Sequence, residues 1–156
     1  MSESSYPERA ATVRRAAARL CLRLGWAPLH EVSLPNGRRA DILALRPDGG
    51  FVCVEVKSGP RDFLTDTKWP EYRAFADALY FAVDHDFPTD LLPREAGLIV
   101  AVGLEADLLR EAEPHPLASA RRLSVLRLFG RLAAGRLLAL EDPAGVAAVR
   151  SALRAE

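Results

Sequence analysis

Asp41, Glu55 and Lys57 are the residues of this sequence whose types and spacing could carry out a reaction. Side chains in an extended strand alternate between its two faces, so Glu55 and Lys57 would share one face of a strand ending at Lys57. Two carboxylates held side by side repel each other, and a divalent cation such as Mg²⁺ or Mn²⁺ offsets that repulsion. Such a cation lowers the pKa of a bound water and stabilises charge on a phosphodiester. Lys57 would then hold the attacking water or the developing negative charge.

A β-hairpin is needed to bring Asp41 to Glu55. Two predicted strands flank a loop of strong turn-forming residues: 39–45, 51–57 and, between them, 47–50. A three-residue loop with Gly49 in the left-handed region places Asp41 directly opposite Glu55, with their Cβ atoms ~4.5–5.5 Å apart. A two-residue Asp-Gly turn would instead place Asp41 opposite Val56, on the other face. We favour the first register, because it groups the polar residues together.

The use of lysine supports a chemical role for this region. Of the 21 basic residues, 19 are arginine, and the two lysines are Lys57 and Lys68. Lysine differs from arginine where a compact, mobile ammonium or an adjustable pKa is needed. A bias toward arginine explains its excess, but it does not explain why both lysines lie close to the carboxylates.

The other elements are predicted from hydrophobic spacing and turn residues. Helices are expected at about 6–24, at 63–76 with a break near Pro70, at 116–134 and from Pro143; strands are expected at 26–34, 39–45, 51–57, 78–83 and 97–102, with a short edge strand at 108–111. This order fits one α/β domain over residues 1–156, with a mixed β-sheet covered by helices on both faces.

Composition places limits on the function. The formal net charge is zero, so a nucleic-acid partner is not indicated by overall charge, and local arginine clusters would have to provide the contacts. No apolar run approaches the ~20 residues of a membrane helix, and no secretory signal is visible. We therefore expect a cytoplasmic protein with no membrane contact. Cys21 and Cys53 have neither disulfide-framework nor zinc-site spacing, which predicts buried thiols.

The residues that follow the hairpin resemble a known family. Asp41, the hairpin and Glu55-Val56-Lys57 resemble the PD-(D/E)xK nuclease motif, although Ala40 stands where that motif often has proline. The longer string 55–72 resembles the MmcB-type bacterial DNA repair proteins, and the resemblance extends over most of residues 8–140. It implies a restriction-endonuclease-like core, a central mixed β-sheet flanked by helices on both faces, a role in the DNA damage response, and metal-dependent endonuclease activity on DNA.

Further candidates lie after the Glu55–Lys57 strand. Lys68 and Tyr72, spaced i, i+4, resemble the Gln and Tyr that RecB-like nucleases carry there, which implies a substrate contact. The alternative is a surface lysine covering a core tyrosine. Asp62 and Asp66 would orient one of the lysines, with Asp62 near the substrate, or would only cap a helical turn. Glu8 is a further acidic candidate, but a capping box with Ser5 explains it more simply.

Three functions remain open from the sequence. The leading hypothesis is a DNA endonuclease used in repair, with Mg²⁺ or Mn²⁺ on Asp41 and Glu55 and with Lys57 beside the attacking water. The alternative is a weakly active or inactive DNA-binding or recruitment module of the same fold. RNA cleavage would use the same chemistry, but no RNA-binding module is visible. A homodimer is expected if both strands of a duplex are cut.

Overall fold

The computed structural model describes residues 5–155. Within that range the strands are β1 (Ala27–Ser33), β2 (Arg39–Leu45), β3 (Phe51–Lys57), β4 (Ala78–Asp84), β5 (Gly97–Val102) and β6 (Glu105–Arg110). The α-helices are α1 (Tyr6–Arg23), α2 (Pro60–Thr65), α3 (Ser119–Glu141) and α4 (Pro143–Arg154), and 3₁₀ helices cover Trp69–Phe75 and Thr89–Leu91. The predicted order of elements is confirmed, with β6 and α3 longer than expected.

The strands form one mixed sheet in the order β1-β2-β3-β4-β5-β6. Strands β1, β2 and β3 are antiparallel neighbours, β3, β4 and β5 are parallel, and β6 returns antiparallel to β5. Helices cover both faces, which confirms the predicted restriction-endonuclease-like core. The parallel centre places the carboxyl end of β3, where Glu55 and Lys57 lie, beside the carboxyl end of β4.

Helix α1 covers one face of the sheet because its apolar residues recur at helical spacing. The buried stripe consists of Val13, Ala16, Ala17, Leu20 and Cys21. It packs against the side chains that point to this face from β2 to β6, including Ile42, Ala44, Val52, Val54, Tyr80, Ile99 and Ala106. The helix begins at a capping box formed by Ser5 and Glu8, in which the Ser5 amide donates to Glu8 Oε2 at 2.8 Å.

The opposite face is covered by α2 and the 3₁₀ helix Trp69–Phe75. The rings of Phe63 and Trp69 meet the ring of Phe81 edge-on, with centroid distances of 5.5 and 5.6 Å. The helical segment expected over 63–76 consists of these two short helices. The predicted break near Pro70 is confirmed, since proline is tolerated only in the first turn of a helix and the second helix begins at Trp69.

The hairpin has the predicted register. Ile42 pairs with Val54 and Leu43 with Cys53. The loop is closed by a hydrogen bond from the Arg46 amide to the Gly50 carbonyl, at 2.8 Å. Gly49 has a φ of +88°, the left-handed conformation that the three-residue loop requires. Continuing this register by one step places Asp41 opposite Glu55.

Asp77 ties the start of β3 to the segment that precedes α3. Only 3% of Asp77 is exposed, and its carboxylate accepts hydrogen bonds from the amides of Phe51 and Leu117, both at 2.8 Å. Arg122 adds an ion pair at 2.5 Å. Burial alone would raise the pKa of Asp77, but these hydrogen bonds outweigh burial and lower it. Sequence analysis did not single out this residue.

The chain forms two compact units, divided between Arg122 and Leu123. The first contains the sheet, α1 and the 3₁₀ helices. The second contains most of α3 together with α4, whose first turn is capped by Asp142 through a hydrogen bond from the Gly145 amide. The expectation of one domain over 1–156 stays a prediction. In the described residues, no helix has the length and apolarity needed to cross a membrane.

Candidate active site

Asp41 and Glu55 are joined by reciprocal hydrogen bonds to each other's strand. The Asp41 amide donates to Glu55 Oε1 at 3.2 Å, and the Val56 amide donates to Asp41 Oδ2 at 2.8 Å. Each carboxylate therefore uses one oxygen to extend the contacts between β2 and β3. The two acidic side chains lie next to each other, as the predicted register requires.

Burial makes this pair electrostatically unfavourable when both members are ionised. Only 4% of Glu55 is exposed. Burial, and then the Asp41 charge, raise the pKa of Glu55 to about 8. Burial likewise raises the pKa of Asp41, against the opposing effects of the Val56 amide, Lys57 and Arg14. The pair therefore needs either a proton or a cation at neutral pH.

The chemistry of this donor set fits a magnesium site in which the protein supplies only a few of the ligands. Among residues 5–155, Asp41 Oδ1 and Glu55 Oε2 receive no hydrogen bond from the protein and are the oxygens that could contact a cation. No group of three or more His, Cys, Asp or Glu side chains that could hold a metal occurs in this range. Mg²⁺ is commonly held by one or two carboxylates, with waters and substrate phosphate completing the shell. Two carboxylates are therefore sufficient, and the remaining positions would stay open to substrate.

Lys57 lies on the same strand face but is already paired. Its Nζ donates to Asp66 Oδ2 at 2.6 Å, and its side chain is 7% exposed. Burial alone would lower the pKa of Lys57, but the hydrogen bond to Asp66 and the charges of Asp62, Asp66 and Glu55 outweigh burial and raise it. Lys57 is therefore a fixed cation at neutral pH.

Asp66 is held by its own backbone contacts. Its Oδ1 accepts the amide of Lys68 at 2.8 Å. Burial would raise the pKa of Asp66, but the hydrogen bonds from Lys57 and from the Lys68 and Trp69 amides outweigh it and lower the pKa. Of the two lysines that Asp66 could orient, Lys57 and Lys68, it is the side chain of Lys57 that contacts the Asp66 carboxylate.

An open, polar cleft of about 470 Å³ runs beside the carboxylates. Its lining includes the predicted candidates Asp41, Glu55, Lys57, Asp62, Asp66 and Tyr72, together with Gly37, Arg38, Arg39 and Val56. Six of the eight candidate residues named from sequence are thus brought together on one surface.

Lys68 and Glu8 are the exceptions, since both lie outside this lining. The i, i+4 spacing of Lys68 and Tyr72 predicts one shared helical face, and this prediction is wrong because the helix here is 3₁₀ and begins after Lys68. With three residues per turn, positions i and i+4 do not align. Tyr72 is buried and donates to the Arg39 carbonyl at 3.1 Å, while burial raises its pKa and keeps the phenol protonated. Asp62 accepts the Ser58 amide at 3.3 Å, which holds the start of α2 close to the end of β3.

A second cleft of about 380 Å³ continues past Asp41 toward α1. Asp41, Val56 and Asp62 line both clefts, so the carboxylates lie between two recesses. On the α1 side, Arg14 pairs with Glu31 at 2.9 Å. Glu31 lies between His30 and Val32, which pair with Ile42 and Ala40 on either side of Asp41. It has a φ of +49°, which is unusual for a residue with a side chain.

Sequence reasoning missed Arg39, Arg14 and Glu31 as residues of this surface. Arg39 could have been found from strand alternation, since it lies two residues before Asp41 on the same face of β2. The approach of Arg14 and Glu31 depends on how α1 crosses the sheet, which no local pattern gives.

With this geometry established, comparison with known proteins identifies the family. A family model described as DNA repair protein MmcB-like matches residues 1–144. The chain belongs to the MmcB-like family. This membership supports a role in DNA repair and confirms the resemblance found in residues 55–72.

A solved structure resembles this MmcB-like chain over most of its length. It is the SPO1766 protein of unknown function from Silicibacter pomeroyi, with 37% sequence identity and a TM-score of 0.83. The alignment covers 88% of this chain and 94% of that chain. No curated protein matches the chain. The fold is thus shared with a solved structure, and the chemistry has to be argued from the site itself.

Proposed function

We propose that this protein is a metal-dependent DNA endonuclease that acts in DNA repair. The observation that carries the proposal is the directly opposed pair of the half-buried Asp41 and the buried Glu55 at the edge of an open cleft. A protein that needed only a stable hairpin would place apolar residues at this step, because two buried carboxylates weaken the fold. The MmcB-like DNA repair family makes DNA the expected substrate.

Each residue has a definite part in the proposed reaction. Asp41 and Glu55 would hold Mg²⁺ or Mn²⁺ through Asp41 Oδ1 and Glu55 Oε2. Such a cation, when bound, activates water and stabilises charge on the phosphodiester. The protonated Lys57 ammonium faces the same cleft, where a fixed positive charge stabilises the negative charge that develops on the phosphate.

A cleavage assay with purified protein tests this proposal. Single-stranded, duplex, nicked and branched DNA, and a matched RNA, would be incubated with Mg²⁺, Mn²⁺ or EDTA. We expect cutting of at least one DNA substrate with metal, none with EDTA, and loss of cutting in Glu55→Ala. Cutting that persists in EDTA and in Glu55→Ala would contradict the assignment of a metal-dependent site. Cutting of RNA but not of DNA would show that RNA is the substrate of the same chemistry.

A DNA-binding or recruitment module is the second candidate, and two observations favour it. Lys57 already donates a hydrogen bond to Asp66, and the described residues supply two carboxylates rather than three or more metal-binding side chains. A protein that had lost catalysis would tolerate both features. DNA binding without cutting in either metal, unchanged in Glu55→Ala, would support this candidate.

Replacing Asp66 with asparagine is expected to lower the cleavage rate by about 10- to 100-fold, the range associated with loss of a partner that orients a reacting group. The asparagine side chain would keep an oxygen near Lys57 but would lose the charge that fixes the ammonium. Because Asp66 lies beside the lysine and not at the carboxylate pair, DNA affinity should change little. Single-turnover kinetics would measure the rate and titration of labelled DNA the affinity.

The matched control is Asp86→Asn, since Asp86 is an exposed carboxylate whose described contact is a 3.9 Å pair with Arg9. Equal rate losses in the two variants would argue against a positioning role for Asp66. An Asp66→Glu variant that recovers part of the rate would separate the effect of the charge from that of a disturbed backbone.

A further inference from the structure

The cleft beside the carboxylates is more acidic than a nucleic-acid surface should be. Its lining carries four carboxylates, Asp41, Glu55, Asp62 and Asp66, and three basic side chains, Arg38, Arg39 and Lys57. A DNA backbone brings further negative charge to this surface. A bound divalent metal ion would offset only the charge of Asp41 and Glu55. Affinity for DNA therefore requires a basic side chain in the cleft that has no acidic partner within the protein.

Two of the three basic side chains are already neutralised by acidic partners. Lys57 pairs with Asp66 at 2.6 Å, and Arg38 pairs with Glu71 at 3.0 Å. Within residues 5–155, the guanidinium of Arg39 has neither an acidic partner nor a carbonyl acceptor, and Arg39 is exposed. Among the basic side chains of the cleft in the described residues, Arg39 is therefore the one whose positive charge and N–H donors are available to a ligand.

The backbone of Arg39 is held in place even though its side chain is free. Its carbonyl accepts the hydrogen bond of the buried Tyr72 hydroxyl at 3.1 Å, and its strand partner in β1 is Ser33. Arg39 lies two residues before Asp41, so the two side chains leave the same face of β2 about 7 Å apart along the strand. A fixed backbone close to the carboxylates keeps the guanidinium within reach of a strand bound in the same cleft.

We propose that Arg39 binds a backbone phosphate of DNA next to the phosphodiester held at Asp41 and Glu55. A guanidinium can contact phosphate through two parallel hydrogen bonds, which fixes position without reading the bases. This proposal rests on the proposed function for the place of the scissile bond, and it makes Arg39 the residue that sets the register of the DNA on the site. The contact is independent of sequence.

Fluorescence anisotropy with labelled single-stranded and duplex DNA tests the proposal. Binding would be measured in EDTA, which prevents metal-dependent cutting, across a series of salt concentrations. We expect Arg39→Ala to weaken binding about 5- to 10-fold and to reduce the slope of log affinity against log salt by roughly 0.9 for duplex DNA and 0.7 for single strands, the value for one lost phosphate contact. Arg39→Lys should keep the slope and recover part of the affinity.

Arg94→Ala is the matched control. Arg94 is an exposed arginine that precedes β5, toward the amino ends of the parallel strands, whereas Glu55 and Lys57 lie at the carboxyl end of β3. An unchanged affinity and slope in Arg39→Ala, an equal loss in Arg94→Ala, or a parent protein that binds no DNA would each overturn the proposal.

The binding measurement also separates this proposal from the proposed function. If the parent protein cuts DNA but Arg39→Ala binds like the parent, only the phosphate contact fails. If the parent binds DNA through Arg39 but never cuts it, the phosphate contact stands and the endonuclease assignment fails.

Discussion

Glu55→Gln is expected to yield a protein that is inactive but more stable than the parent when no metal is present. Burial and Asp41 raise the pKa of Glu55 to about 8 in the folded protein, from an ordinary pKa of 4.5. Between these values the folded state keeps a proton that the unfolded state has released, so stability falls as pH rises toward 8. Glutamine cannot ionise and still offers an oxygen to the Asp41 amide. At pH 8.5 we expect a gain on the order of 2 kcal/mol or more.

Thermal unfolding in EDTA at pH 4.5 and pH 8.5 measures this effect. The gain should be large at pH 8.5 and small at pH 4.5, since little of the destabilising charge exists at the lower pH. Added Mg²⁺ should raise the Tm of the parent at pH 8.5 and leave Glu55→Gln nearly unchanged, because a ligand that binds only the folded state stabilises it.

Glu113→Gln is the control for Glu55→Gln, as Glu113 is exposed. It should have the same Tm as the parent at both pH values. A Glu55→Gln protein that is no more stable than the parent at pH 8.5, or equally stabilised at both pH values, would show that burial and Asp41 do not destabilise the ionised Glu55 in the folded state.

Asp77→Ala is expected to lower the free energy of unfolding by about 2–4 kcal/mol, because the buried amides of Phe51 and Leu117 would both lose their acceptor. The Arg122 guanidinium would also lose its partner. Since the pKa of Asp77 is lowered in the folded protein, the contribution of this carboxylate is present above its unfolded pKa and is lost as the pH falls. Asp77→Asn, which keeps one acceptor, should lose less.

Urea unfolding followed by circular dichroism measures the loss, with Asp107→Ala as the control. Asp107 is an exposed carboxylate on β6, and its removal should change stability by less than about 0.5 kcal/mol. If Asp77→Ala lies within about 1 kcal/mol of the parent, other groups or water must satisfy the two amides.

The hairpin shows how far the sequence can predict the site. The loop 47–49 admits few geometries, and a one-residue slip would separate the polar residues onto different faces, so the place of Asp41 opposite Glu55 follows from local rules. The mixed sheet and its coverage by α1 follow from hydrophobic spacing in the same way. These parts were predictable because each depends on neighbours in the chain.

Contacts between distant segments were not predictable in this way. The pairing of Asp77 with Arg122 joins residues 45 positions apart, and the pairing of Arg14 with Glu31 depends on how α1 crosses the sheet. The 3₁₀ form of Trp69–Phe75 is likewise not predictable from apolar spacing, because that spacing is compared with the α-helical period. Propensity describes the segment, whereas packing against Phe81 and the proline at position 70 decide its final form.

The cleft beside the carboxylates is built from one uninterrupted stretch of chain, residues 37–72. Asp41 and Glu55 are 14 residues apart, and Lys57 and Asp66 only 9. Short separations cost little loop-closure entropy, so these contacts can form early, before β5 and β6 join the sheet. The proposed reaction centre is consequently encoded by one contiguous segment, and an insertion in the loops after β4 would lengthen the scaffold without separating its residues.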